Sequence, residues 1–325
     1  MNIIQIAELA GVSKSTVSRV LSGNGSVSQK SYDKVMRVVN EIDYRPNPYA
    51  RILNKKSTSL IGIIVPDIIN PYFPQIIQEI QAVCNKHGYR ILLCITDSGS
   101  KNEIEYLDML ETMRADGTIL LCPTTRVKDI SKYDRQAIIS VDAVINDRIP
   151  YVCSDFYKGG YLAANKLVEN GCKNILHISG HNYYYANEQR HLGFETGINE
   201  HLNSIQSYQV LSDFSMSHGL DIIQDYFQTH PNIDGIFTDN DSIAFMVLRI
   251  LHSLKIEVPS KVKIIGYDDN FMIPMIYPAL STIHQPVTQI GQLAAQTLIN
   301  MINRQQINYQ NILDVSYVKR NTTII

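Results

Sequence analysis

Apolar residues recur along this chain with two different periods. In the first 42 positions the spacing is helical: Ile3, Ile6, Ala7 and Ala10 predict a short helix with one apolar stripe. Gly11 stops it, because a left-handed backbone conformation costs glycine almost nothing. Ser13 suits the N-cap of a second helix, whose Val17, Val20 and Leu21 face the first. Ala7 is small where two helices crossing steeply must approach closely. After a loop over 22–25, Ser28 caps a third helix whose Val35, Val38, Val39 and Ile42 close a small core. This is the spacing of a helix-turn-helix, with Lys14, Ser15, Ser18 and Arg19 on the outer face of the second helix. Taken alone, Ala-x-x-x-Gly-x-x-x-x-x-Val also fits an αα-hairpin of some other helical domain.

The next segment, Tyr44-Arg-Pro-Asn-Pro-Tyr-Ala-Arg-Ile-Leu53, changes character. Pro46 ends the third helix, Asn47 offers a cap and Pro48 suits the first position of a new helix running to about Leu53. Two turns are marginal in isolation, since helix nucleation is disfavoured by a factor of roughly 10³. The segment is expected to order only against DNA and a partner subunit, the alternative being a plain linker. From Leu60 onward, strand-like runs alternate with helical ones: 60–65, 76–87, 89–96, 103–114, 118–122 and 137–141, then 158–170, 174–179, 188–202, 209–211, 220–228, 235–238, 242–254, 262–267 and 287–302. Such alternation predicts parallel α/β sheets with helices on both faces, and its length suits two lobes. Leu313–Val318 reads as a last strand. Asp116-Gly117 and Asp234-Gly235 each open a short apolar strand after a helix, a faint internal echo.

Charge sharpens the division. The net charge is only -2, but residues 1–60 hold nine Lys/Arg against four acids, leaving the rest of the chain at -7. A basic head on an acidic body suits a polyanion-binding module attached to something else. No apolar run approaches the roughly 20 residues that span a bilayer. The N-terminus lacks signal-peptide character, being interrupted by Gln5 and Glu8. The five cysteines (Cys84, Cys94, Cys122, Cys153, Cys172) show no Cys-x-x-Cys spacing and read as buried thiols of a reducing, cytoplasmic compartment. Dinucleotide-binding, P-loop, nucleophile-elbow and zinc-protease motifs are absent, and His87, His177 and His284 read as structural, so no catalytic residue, metal or cofactor is expected. No leucine heptad of the tetramer-making kind follows the last strand, which favours a dimer.

Head, short hinge and two-lobed body together resemble the lactose-repressor/galactose-repressor family of bacterial transcription regulators along the whole chain. The resemblance rests on Ala10-Gly-Val-Ser-Lys-Ser-Thr-Val-Ser-Arg-Val-Leu21, Tyr44-Arg-Pro-Asn47 with Ala50-Arg51 and Leu53, Ile61-Gly-Ile-Ile-Val-Pro-Asp67 with Asn70-Pro-Tyr-Phe73, and Gly266-Tyr-Asp-Asp269 with Thr282-Ile-His-Gln-Pro286. It implies a head over 1–46, a hinge helix and linker over 47–59, and a body resembling periplasmic binding proteins. The N-lobe would comprise 60–154 plus 286–312 and the C-lobe 155–285 plus 313–325.

By the same resemblance, Lys14, Ser15 and Arg19 meet base edges, Arg19 being able to grip guanine O6 and N7 together. Thr16, Ser18, Ser22 and Ser26 hold phosphates. Ala50 and Arg51 lie on the hinge, and Leu53 is a minor-groove wedge. Asn70, Tyr72, Phe73, Asp142, Arg190, Asn240, Asp268 and Gln285 line an effector cleft. Their types suit a sugar, with rings for C–H faces and Asp, Asn and Arg for paired hydroxyls; Asp142 and Asp268 also follow strands, where ligands of open α/β sheets sit. Ala143 and Phe156 depart from the family pattern and bear on the ligand's identity. The expectation is a homodimeric repressor of a carbohydrate-use operon, bound to a near-palindromic operator and released by a sugar. The alternatives are a corepressor, either a purine-type ligand or a phosphocarrier protein, or a transport protein that binds sugar.

Overall fold

Three helices form at the N-terminus of the computed structural model, which describes residues 3–22, 26–42, 57–96, 100–124, 130–133, 136–180, 184–201, 204–211 and 218–324. They are α1 (Ile3–Ala10), α2 (Lys14–Ser22) and α3 (Gln29–Glu41). Gly11 adopts the left-handed conformation expected of it, with φ 60°. Ser13 caps α2 by accepting the Thr16 amide at 3.1 Å, and Ser28 caps α3 through the Ser31 amide at 3.3 Å. Ile6, Ala7, Ala10, Val17, Val20, Val35, Val38 and Val39 make one core. Val35 and Val17 are fully enclosed in it. The expected hinge helix lies outside the described residues, so Ala50, Arg51 and Leu53 have no structural account. The chain divides into two units, Met1–Thr58 and Ser59–Ile325.

The second unit contains two six-stranded sheets. The first takes β1 (Leu60–Val65), β2 (Arg90–Ile95), β3 (Gly117–Leu121), β4 (Ala137–Val141), β5 (Tyr151–Ser154) and β11 (Gln310–Leu313). Their order across the sheet is β11-β5-β4-β3-β1-β2, and all of them are parallel. The second takes β6 (Asn174–Ser179), β7 (Gln206–Leu211), β8 (Gly235–Thr238), β9 (Lys263–Asp268), β10 (Ser281–His284) and β12 (Ser316–Val318). Here the order is β12-β10-β9-β8-β6-β7, and only β12 is antiparallel to its neighbour. The two orders are the same doubly wound arrangement, used twice. Asp116 and Asp234 precede equivalent strands, β3 and β8, and do the same job. Asp116 accepts the Ser59 amide at 2.7 Å beside the start of β1. Asp234 accepts the Lys173 and Asn174 amides at 2.9 and 2.8 Å at the start of β6.

Helices cover both faces of each sheet. Apolar side chains of α4 (Tyr72–Lys86) and α10 (Val287–Ile302) pack on one face of the first sheet, around Ile61, Ile63, Ile76, Ile290 and Leu298. Those of α5 (Ser100–Thr112) cover the other through Leu107 and Leu110. In the second half, α6 (Phe156–Glu169) and α7 (Tyr185–Asn199) share a core with Phe237, Ile265 and Tyr267. On the far face, α8 (His218–Thr229) and α9 (Asp241–Ser253) pack against Leu176, Ile178, Ile236 and Ile264. The chain passes between sheets three times, at Asp155, at Gln285–Pro286 and at Asp314. The last crossing corrects one expectation: Leu313–Val318 is not one strand, because Asp314 separates β11 in the first sheet from β12 in the second. Helix α4 also starts a turn earlier than its apolar period suggests. Asp67 accepts the Ile69 and Asn70 amides at 2.7 and 2.9 Å, and Asn70 accepts that of Tyr72 at 3.1 Å. Those polar turns precede the periodic run, so periodicity alone does not see them.

Helices α6 and α7 meet almost backbone to backbone. A Cβ on Gly160 would overlap the Arg190 carbonyl, and one on Gly193 would overlap the Tyr157 carbonyl. Neither obstacle is a flexible side chain, so the helices themselves must part. Gly160→Ala is therefore expected to destabilise the body by roughly 1–3 kcal/mol. A lowered thermal midpoint in scanning calorimetry would show it; an unchanged midpoint would mean that α7 gives way freely.

Candidate functional site

The carboxyl ends of the parallel strands carry a cluster of buried polar residues, among them Ser140, Asp142, Ser154, Asp239, Asp268 and Gln285. Two of them end in strained backbone: Asp142, just after β4, has φ 61°, and Asp268, the last residue of β9, has φ 114°, with Asp269 at 61°. Outside glycine such angles cost of order 1–3 kcal/mol and persist only where surroundings fix them. The surroundings here do so. The Asp142 amide donates to the Val152 carbonyl at 3.0 Å and the Gln285 amide donates to the Asp268 carbonyl at 3.3 Å. Asp241, at the start of α9, accepts the Asn270 amide at 2.9 Å and the Thr282 hydroxyl at 2.7 Å. Asp269 receives Arg320 Nη2 at 2.6 Å and lies 2.9 Å from His284 Nδ1.

These corners bring five of the expected residues together. The Tyr72 hydroxyl donates to Asp142 Oδ2 at 2.7 Å, with Gln285 Oε1 as a second, longer acceptor at 3.3 Å. Gln285 Nε2 donates to Asp268 Oδ1 at 2.8 Å. Gln285, on a crossing between the sheets, thus ties the first half of the body to the second. The Arg190 guanidinium lies over the Phe156 ring at 5.2 Å and the Tyr267 ring at 4.4 Å, and its Nη1 donates to the Asp239 carbonyl. Cation–π contacts of this kind strengthen when water is excluded.

Each of these side chains is buried, and Tyr72 and Gln285 have their polar atoms bonded, but the charged groups between them are satisfied only in part. Asp142 Oδ1, Asp268 Oδ2, Arg190 Nε and the Tyr267 hydroxyl have no hydrogen-bond partner among the described residues, and neither do the hydroxyls of Ser140 and Ser154 or Asn270 Nδ2. A buried polar atom without a partner costs about 1–3 kcal/mol. Several in one place mark a site built to receive polar atoms from elsewhere. Burial is also the main cause of the unusual acidities. It pushes the Asp142 carboxyl up to about 6, against the bond from Tyr72 and the charge of Arg190. It pushes Asp241 up to about 7, and Asp268 well above the carboxylate range, with neighbouring Asp241 adding to the rise. Burial opposes the Arg190 charge, but Asp239, Tyr267 and Asp268 outweigh it and move its pKa up.

The other expected residues are placed differently. Phe73 lies edge-on to Tyr72 at 5.6 Å and belongs to the core of the first half. Asn70 makes a turn before α4 by accepting the Tyr72 amide, and Asn240 caps α9 by accepting the Ile243 amide at 2.9 Å. Phe156, Tyr267 and Asp239 belong to the cluster but were not foreseen. Phe156 stands in the sequence only as a departure from the family pattern, and Asp239 accepts the bond from Arg190 through its backbone carbonyl, which no side-chain type betrays. In the head, Lys14, Ser15, Ser18 and Arg19 are exposed along α2, as is Ser26, whereas Thr16 is half-buried. The Thr16 hydroxyl lies 2.8 Å from that of Ser13. The Ser22 side chain is outside the described residues.

With this geometry in view, comparison with known proteins is decisive. Residues 2–47 match the model of bacterial regulatory proteins of the LacI family. Residues 58–321 match that of periplasmic binding proteins and the sugar-binding domain of the LacI family. The chain belongs to the LacI family. It is 32% identical over 324 residues to the ribose operon repressor of Halalkalibacterium halodurans, covering 99% of this chain and 96% of that one. It is 33% identical over 319 residues to the sucrose operon repressor of Streptococcus mutans, covering 96% of each. Among solved structures, a periplasmic binding protein/LacI regulator from Alkaliphilus metalliredigens, complexed with D-xylulofuranose, is 31% identical. It covers 82% of this chain and 100% of its own, with a TM-score of 0.75. The Lac repressor dimer bound to operator and anti-inducer is 24% identical and shares the fold, with a TM-score of 0.88 over 100% of this chain and 99% of that one. As a LacI-family member the chain is a transcription regulator that binds DNA, not an enzyme. No helix among the described residues is long and apolar enough to cross a membrane.

The raised pKa values have a consequence for stability. Asp142 and Asp241 hold protons in the fold up to pH of about 6 and about 7, whereas an unfolded Asp releases its proton near pH 4. The folded state binds more protons through that window, so stability falls as pH rises from about 4 to about 7 and then levels off. Asp142→Asn and Asp241→Asn should each flatten this slope, read from urea midpoints at pH 5 and pH 7.5. Equal slopes in wild type and both variants would contradict the assignment.

Proposed function

We propose that this LacI-family regulator represses a carbohydrate-use operon and releases its operator when a small neutral sugar binds between the two halves of the body, D-ribose being the first candidate. The observation that carries this is the convergence of Asp142, Asp268 and Arg190, each keeping one polar atom unpaired. Carboxylate oxygens accept from hydroxyls, the guanidinium donates to a hydroxyl or ring oxygen, and the flanking rings meet C–H faces. Asn70, Tyr72, Phe73, Asn240 and Gln285 shape the rest of the pocket in this reading. The names of the relatives agree, being ribose and sucrose operon repressors at 32% and 33% identity. A LacI-family regulator from Enterococcus faecium with bound ribose is a further structural match, 28% identical.

The head reads DNA through the exposed side of α2. Lys14, Ser15 and Arg19 meet base edges, while Thr16, Ser18, Ser22 and Ser26 hold phosphates. Ala50 and Arg51 on the hinge, with Leu53 as wedge, complete the contact over the minor groove. The protein works in the cytoplasm as a homodimer on a near-palindromic site, since two identical heads at fixed separation demand two-fold symmetric half-sites. The lobes are 60–154 plus 286–313 and 155–285 plus 314–325, the expected boundary at 312 moving by one because Leu313 ends β11 of the first sheet, and they are preceded by the head at 1–46 and the hinge at 47–59. Sugar closes the lobes, which alters the relation of the subunits and parts the two hinges. Couplings of this kind are typically about 5- to 150-fold in affinity.

Titration of the operator, followed by fluorescence anisotropy with and without D-ribose, tests the reading. Ribose should weaken operator binding by a factor in that range. Arg190→Ala should bind operator as wild type does and lose the response. If neither ribose nor any pentose or hexose tried changes operator affinity, the reading fails.

A further inference from the structure

Behind Arg190 lies a second layer of polar groups, joined to the guanidinium at the Asp239 carbonyl. Asp239, immediately after β8, is held at three points. Its amide donates to the Ile178 carbonyl at 3.1 Å. Its carboxylate Oδ2 accepts the Gly180 amide at 2.8 Å, and Oδ1 lies 2.9 Å from His177 Nε2. A carboxylate can only accept, so the His177 Nε2 carries the proton in this pair. The Asp239 carbonyl, on the same residue, takes the bond from Arg190 Nη1.

His177 is itself fixed. It lies in the middle of β6 with 1% of its surface exposed. Its ring stacks on Phe237 at 4.8 Å and on His191 at 5.5 Å, and lies tilted against Phe194 at 4.7 Å. His191 follows Arg190 on α7, and its Nδ1 is 3.4 Å from His177 Nδ1 and 3.2 Å from Gln209 Nε2. The arginine is thus anchored through a continuous series running from β6 through Asp239 to the guanidinium. Rings alone would let a cation slide over their faces; a fixed carbonyl sets where the fork points. We propose that His177 is a positioning residue for Arg190, acting through Asp239, and that it sets how well the arginine meets the sugar. This rests on the reading that Arg190 contacts the effector.

Two substitutions separate positioning from packing. His177→Phe keeps an aromatic ring between Phe194 and Phe237 but leaves Asp239 Oδ1 buried without its donor. His177→Gln replaces the ring and keeps an amide donor at similar reach. Calorimetric titration of full-length protein with D-ribose should show the Phe variant weakened by roughly 10- to 100-fold, the range for a lost bond to a buried charge. The Gln variant should stay within about threefold of wild type. A purely structural role predicts the reverse order, because Phe preserves the stacked ring and Gln does not.

The guanidinium can also be read without any sugar, by nitrogen-15 NMR of free protein. Wild type and His177→Gln should give resolved Arg190 Nη–H signals from a guanidinium locked against rotation, and His177→Phe should lose them. If wild type binds no ribose, the sugar assignment fails while the NMR comparison still decides the role of His177. A folded His177→Phe protein with unchanged Arg190 signals would overturn it, as would one with wild-type ribose affinity.

Discussion

The body depends on one constraint: ionisable side chains are buried at the carboxyl ends of parallel strands, and the protein satisfies only part of each. A buried carboxylate or guanidinium is tolerated when it is paired and hydrogen-bonded. Here Tyr72 and Gln285 supply one bond each to Asp142 and Asp268, and the rings of Phe156 and Tyr267 flank Arg190. What remains is a set of buried polar atoms without a partner among the described residues, which the hydroxyls of the proposed sugar would complete. In the proposed reading, stability given up locally is returned when the ligand binds.

The strained backbone belongs to the same design. Asp142 and Asp268 both turn into the left-handed region where their strands end, in sheets that repeat one topology. Asp241, His284, Arg320 and the Gln285 amide clamp the second corner from three different segments. Because Gln285 sits on a crossing between the sheets, a ligand that engages Asp268 and Asp142 acts on residues already joined across the halves. Relative movement of the halves is therefore coupled to the site by direct bonds rather than by distance.

Much of this was legible in the residue pattern. The helical period of the head, Gly11 and Ser28 located its helices, since local spacing and capping decide such short elements. Strand–helix alternation announced two parallel sheets, and Asp116 and Asp234 proved to be equivalent anchors. Other features were hidden for physical reasons. Leu313–Val318 reads as one strand because an apolar run carries no mark of which sheet it joins. The early start of α4 rests on side chains of Asp67 and Asn70 that lie before the periodic residues. Phe156, Tyr267 and Asp239 act by a ring face or a backbone carbonyl, so their residue types do not announce the role. Asn240 suited hydroxyl recognition by type, but its oxygen accepts the Ile243 amide at the start of α9.

The most direct test is the proton count of sugar binding. Hydroxyls that donate to Asp142 and Asp268 favour the charged carboxylates, whose pKa burial has raised, so binding of the proposed sugar is expected to drive protons off. Titration of the protein with D-ribose at pH 6, repeated in buffers of different ionisation enthalpy, measures that number. The account predicts net proton release at pH 6 and an affinity that rises with pH between about 5 and 7. Binding without proton exchange, at an affinity indifferent to pH, would contradict it.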